Sequence, residues 1–196
     1  MCLLPFVLLN RQGRKRIGLK APAGSYWWIY ALLIGMLACL AVYVTGTALY
    51  GHTVDNWFVY ISKSFEANIP VELAANRARV FLIMAAAAVT LSPLGEELLY
   101  RGLIHECFVP SFGEGQASMI DSAAFAITHL AHFGILNDAG AWGFHFIPAL
   151  LWVLLMYFAG RLFFFCKYKG GSLMMAIICH AGFNLAMTYF ICFHIL

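Results

Sequence analysis

The stretch Glu96-Glu97-Leu98-Leu99-Tyr100-Arg101 places two carboxylates and a guanidinium inside a sequence otherwise built for lipid. On insertion-based scales a charged side chain at the bilayer centre costs about 2.5–3.5 kcal/mol, so such groups persist where they pair or line a working cavity. Glu97 and Arg101 are four residues apart, share a helix face and can form an ion pair. Glu96 is rotated about 100° from Glu97 and is free to face a cavity as a general base. Two further constellations follow. Phe125 and His129 are four apart, so the ring can pack against the imidazole and hold its rotamer. His180 and Asn184 repeat that spacing, and two convergent donors in a low-dielectric pocket are what an oxyanion requires. Each motif alone also has a plainer reading: a structural charge cluster at a helix end, a packing histidine, and interhelical hydrogen-bond glue.

The elements that must carry these groups are membrane helices. The chain has 196 residues, is 63% hydrophobic and 11% charged, and has a mean hydropathy of +0.82. A soluble domain usually carries about 25% charged residues. The pattern predicts an all-α polytopic helix bundle of five to six transmembrane helices plus an interfacial amphipathic helix. A formal net charge of +3 is too small to imply nucleic acid. The partners expected are membrane lipids and a membrane-associated protein or peptide. Arg11, Arg14, Lys15, Arg16 and Lys20 precede the first apolar run and put the N-terminus in the cytoplasm. An integral protein of a bacterial inner membrane is expected. The opening run Met1 to Leu9 has its basic residues after it and no small-residue cleavage site, so it does not read as a signal peptide. Nothing around Cys2 resembles a lipobox, and the six scattered cysteines read as packing residues.

The first span is expected over Tyr26 to Tyr50 with an aromatic belt at its start. Residues 51–79 carry six charges, yet Trp57, Phe58, Ile61 and Phe65 recur at helical spacing, which predicts an amphipathic helix on the outer interface. A second apolar run covers Val80 to Cys107. Pro93 should kink or break it, so that Glu96 and Glu97 open a new helical stretch. Later spans are expected over 117–136, 144–165 and 172–194, with a basic turn at 167–171; Arg77 and Arg79 then fall outside. Residues 1–79 form an N-terminal part, and 80–196 a catalytic membrane core.

Taken together, Glu-Glu-x-x-x-Arg, Phe-x-x-x-His and His-x-x-x-Asn in this order resemble the CAAX protease and bacteriocin-processing (CPBP) family of intramembrane endopeptidases, which includes the eukaryotic prenyl-protein endopeptidase. The resemblance covers roughly Val80 to Phe190. It implies helices around a polar cavity opening toward the cytoplasm. Glu96 would then activate a water positioned by His129, His180 and Asn184 would stabilise the oxyanion, and Glu97, Arg101 and Phe125 would order the site. The resemblance supports a glutamate mechanism needing no cofactor. Zinc on Glu96, His129 and His180 is the other possibility, although no His-Glu-x-x-His helix is present. A non-catalytic scaffold or bacteriocin self-immunity protein on the same fold is the alternative function. A small transporter would need an internal repeat that is not apparent. His52, His105, His132, His145 and His194 are expected in packing or interfacial roles, and Cys179 faces away from His180.

Overall fold

The computed structural model describes residues 2–22, 24, 26–66, 76–138 and 141–196. Four helical stretches among them are long and apolar enough to cross a membrane: Tyr26–Tyr50, Arg77–Ala131, Phe146–Gly170 and Leu173–Ile195. This is the all-α membrane bundle expected. The first stretch, α3 (Tyr26–Tyr50), matches the predicted bounds and at 25 residues is about 37 Å long, enough for a hydrocarbon core of about 30 Å.

The second stretch is not straight. It comprises α5 (Arg77–Glu97), a π-helical segment (Leu98–Ile104), α6 (His105–Thr128) and a short 3-10 turn (His129–Ala131). Gly113 interrupts α6 with φ 74°, a left-handed conformation that glycine adopts without a Cβ clash. The chain folds back there. Tyr100 Oη meets Thr128 Oγ1 at 2.8 Å, and His105 Nδ1 meets Asp121 Oδ2 at 2.7 Å. The two arms of this hairpin correspond to the second and third spans expected from the sequence.

Pro93 does not break α5, contrary to expectation, and Glu96 and Glu97 end the α-helical part instead of opening a new one. Membrane helices tolerate proline where neighbours satisfy the freed backbone groups. Asn184 Nδ2 reaches this part of α5 and donates to Ala88 O at 3.0 Å; the carbonyl that Pro93 leaves open is the next one, that of Val89. The irregularity appears later, as the π segment after Glu97.

The amphipathic helix α4 (Trp57–Glu66) also differs from its expected place. Trp57 and Phe58 are fully buried. The Trp57 ring packs on Tyr50, Phe133 and Trp152 at centroid distances of 5.9, 6.2 and 5.9 Å. Its apolar face therefore caps the bundle and is not spent on the lipid interface. The part of that prediction falling on 67–75 lies outside the described residues.

A two-stranded antiparallel hairpin, β1 (Ile135–Asp138) and β2 (Ala141–Phe144), connects the 3-10 turn to α7 (Phe146–Gly170). The expected span over 117–136 thus ends early, and Lys167–Gly170 form the last turn of α7 instead of a loop. Next comes α8 (Leu173–Phe190), continued by a π turn over Ile191–Ile195. Its backbone lies directly on α3: a Cβ on Gly35 would fall 1.8 Å from Cys179 O, and one on Gly182 would fall 2.4 Å from Leu32 O. Small residues allow this approach, which in lipid stands in for hydrophobic driving force.

The N-terminal α1 (Leu4–Leu8) and α2 (Arg11–Arg16) sit at the end of the bundle where α8 begins. Leu173 N donates to Gly18 O at 2.9 Å, Ser172 Oγ donates to Lys20 O at 2.6 Å, and Arg16 pairs with Glu106 at 3.0 Å. At the other end Asp55 pairs with His145, joining the α3–α4 turn to the start of α7.

Candidate active site

Helices α5 to α8 surround a cavity of about 300 Å³. Ser92 and Glu96 reach it from α5, Phe125 and His129 from α6 and its terminal turn, Met156 and Phe163 from α7, and His180 and Asn184 from α8. All four candidate catalytic side chains therefore line one space, although they come from three segments far apart in sequence.

The two adjacent glutamates face different environments. Glu96 is 14% exposed and accepts from Ser92 Oγ one turn earlier. Its other oxygen, Oε2, is buried with no hydrogen-bond partner. His129 Nε2 stands 3.8 Å from that oxygen. His129 Nδ1 lies 2.8 Å from Phe125 O, an acceptor, so Nδ1 carries the proton and Nε2 presents a lone pair. Trp152 Nε1 donates to His129 O at 3.0 Å, and the Phe125 ring lies 4.2 Å from the imidazole, which fixes the turn and the ring.

Glu97 is fully buried and points the other way. Its Oε1 accepts from Arg101 Nη1 at 3.1 Å and faces His180 Nδ1 at 2.9 Å. The ion pair is the one read from the four-residue spacing; the bond to His180 was not. Phe163 stacks on the His180 ring at 4.6 Å, and the Arg101 guanidinium lies over the Phe125 ring at 4.3 Å and the Phe163 ring at 5.4 Å. These aromatic faces attract cations.

Behind Arg101 lies a second polar layer. Asp121 Oδ1 is 3.5 Å from Arg101 Nε, and Asp121 Oδ2 is 2.7 Å from His105 Nδ1. His105 Nε2 is 2.9 Å from Glu114 Oε2, so both of its ring nitrogens face carboxylate oxygens. His105 is thus part of the ionic network and is more than a packing residue. Asp121 belongs to none of the three sequence motifs. Its one available hint is its place four residues before Phe125, on the same helix face. Lys167 Nζ closes this layer on Arg101 O at 2.6 Å. Among the other histidines, His132 lines the cavity and is exposed, with its ring 5.1 Å from His129.

Among the described residues no three His, Cys, Asp or Glu side chains stand close enough together to hold a metal ion. Glu97 engages His180 through Nδ1 and leaves Nε2 toward the cavity.

A polytopic helix bundle with a buried carboxylate, two histidines and an asparagine converging on one cavity defines the class: a membrane-embedded protein with a polar site inside its helix bundle. A family model described as type II CAAX prenyl endopeptidase Rce1-like matches residues 78–186, more than half of the chain, and the chain belongs to that family. No curated protein and no solved structure matches it.

Proposed function

We propose that this chain is an intramembrane endopeptidase in which Glu96 and His129 hold and activate the attacking water. The observation that carries this reading is the 3.8 Å gap between Glu96 Oε2 and His129 Nε2. Both atoms are acceptors, and the gap is too wide for a direct hydrogen bond. A water between them donates one proton to each and keeps its lone pairs for attack. Glu96 takes the proton as the water adds to the scissile carbonyl, and returns it to the leaving amine. His180, held by Glu97 at Nδ1, presents Nε2 to the oxyanion and donates to it when the ring carries a proton on both nitrogens. Asn184 adds its second amide proton, the first being held by Ala88 O.

This mechanism needs no metal, and treatment with a chelator is expected to leave the rate unchanged. Inhibition by a chelator that added zinc reverses would favour the zinc alternative. The decisive experiment is Glu96→Ala, purified in detergent and assayed for peptide cleavage. Cleavage should fall by at least about 10³-fold, with folding intact. Retained cleavage sinks the reading, and supports the scaffold or self-immunity alternative if substitution of His129, His180 and Asn184 is equally silent.

A further inference from the structure

Arg101 is shared by two buried carboxylates on opposite arms of the hairpin. Glu97 takes Nη1 at 3.1 Å, and Asp121 of α6 stands 3.5 Å from Nε. The second contact is an ion pair without a hydrogen bond, since Nε and Nη2 have no hydrogen-bond partner among the described residues. Glu97 Oε2 has none either, although Glu97 Oε1 serves both Arg101 and His180. Asp121 is itself firmly placed. His105 Nδ1 lies 2.7 Å from its Oδ2, and Ser122 Oγ donates to its Oδ1 at 3.2 Å. Glu114, next to the reversal at Gly113, holds His105 from the other side at 2.9 Å.

Arginine and a carboxylate frequently pair through two parallel N–H···O bonds, which are stronger together than one. Glu97 and Arg101 have the atoms to do so, yet they pair through one. Two neighbours hold the guanidinium off. The charge of Asp121 draws its Nε edge toward α6, and Nη2 occupies a notch on α7, where a Cβ on Gly160 would fall 2.5 Å from it. We propose that Asp121 is a positioning residue for His180. By sharing Arg101 it keeps Glu97 from closing on the guanidinium with both oxygens, and so keeps Glu97 Oε1 on His180 Nδ1. His105 and Glu114 in turn hold Asp121 in place. Once the Asp121 charge is gone, Glu97 turns to Arg101, and the imidazole loses the contact that aims Nε2 at the cavity. The effect on rate rests on the protease reading of this cavity; the effect on the His180 ring does not.

Asp121→Asn keeps the shape and removes the charge. Ring-nitrogen NMR on the full chain in lipid, with labelled histidine, reads the consequence at His180, whose signals are assigned by their loss in His180→Gln. The Nδ1 resonance should move in Asp121→Asn. It should not move further when Asp121→Asn is added to Glu97→Gln, because the effect passes through Glu97. The same cycle on peptide cleavage should show kcat lowered about 10-fold by Asp121→Asn with KM little changed, and by less than about 2-fold in the Glu97→Gln background. An unmoved His180 resonance, or losses that multiply in the double variant, overturns the proposal. If Asp121→Asn does not fold, Asp121→Asn with His105→Gln removes the carboxylate and the imidazole together and carries the same cycle. A resonance that moves as expected in a protein that cleaves nothing supports the positioning of His180 and counts against the protease reading alone.

Discussion

His180 Nδ1 and Arg101 Nη1 both address a single carboxylate oxygen, Glu97 Oε1, at 2.9 and 3.1 Å. That oxygen sets the orientation of the imidazole and fixes which nitrogen faces the cavity. Glu97→Gln preserves the shape and removes the charge. Where an orienting carboxylate behind a catalytic histidine is neutralised, kcat falls steeply with the geometry intact. We expect a loss of at least about 100-fold in kcat with KM little changed, measured on peptide cleavage in proteoliposomes. A lower thermal midpoint with an unchanged kcat would assign Glu97 to stability alone.

Arg101 is enclosed by Glu97, Asp121, Phe125 and Phe163 and has no exposed surface. Arg101→Met leaves two buried carboxylates, Glu97 and Asp121, without the cation they share. Breaking a buried pair from one side typically costs about 3–5 kcal/mol. Thermal unfolding in detergent should show the largest loss for this variant. Pairing it with Glu97→Gln and Asp121→Asn should recover part of that loss, since the stranded charges are then removed. No recovery would place the cost in lost packing of the guanidinium on the two rings.

Gly35 and Gly182 let α8 lie against α3 at backbone distance. Gly35→Val pushes a side chain into Cys179 O, next to His180. The loss should exceed the roughly 1–3 kcal/mol of ordinary overpacking, because the opposing atoms are backbone. Cleavage and the thermal midpoint should fall together. Activity at the wild-type level would mean that α3 has no part in placing α8.

Ala159 is 3% exposed and lines the cavity from α7. Ala159→Phe fills space that a substrate side chain occupies in the proposed mechanism. It should lower kcat/KM by about 10-fold or more while leaving the thermal midpoint unchanged or raised. Undiminished cleavage of a short apolar peptide would exclude this cavity as the binding site.

Much of this arrangement is legible in the sequence. The helical spacing of Glu97 and Arg101, of Phe125 and His129, and of His180 and Asn184 is local, and local spacing survives any tertiary context. The bounds of α3 were equally plain, because no charge interrupts Tyr26 to Tyr50. What escaped was contact between segments. Asp121 meets Arg101 only because the chain reverses at Gly113, and periodicity carries no information about that pairing. Whether Pro93 bends or breaks α5 depends likewise on the neighbours that cover the helix, which local sequence does not carry. The hairpin after Gly134 had a usable signal in Asn137-Asp138-Ala139-Gly140, a turn-forming run between apolar residues, which the expectation of one long span obscured.

The reversal at Gly113 also bears on biosynthesis. It lets the arms carrying Glu96 and His129 pair as a helical hairpin as soon as the second arm leaves the ribosome. His180 and Asn184 arrive later, on α8. A nascent chain therefore carries Glu96 and His129 before it carries His180 and Asn184, and Glu97 waits for its histidine. Under the proposed mechanism, an unfinished chain in the membrane is silent toward its neighbours until the last of these helices docks.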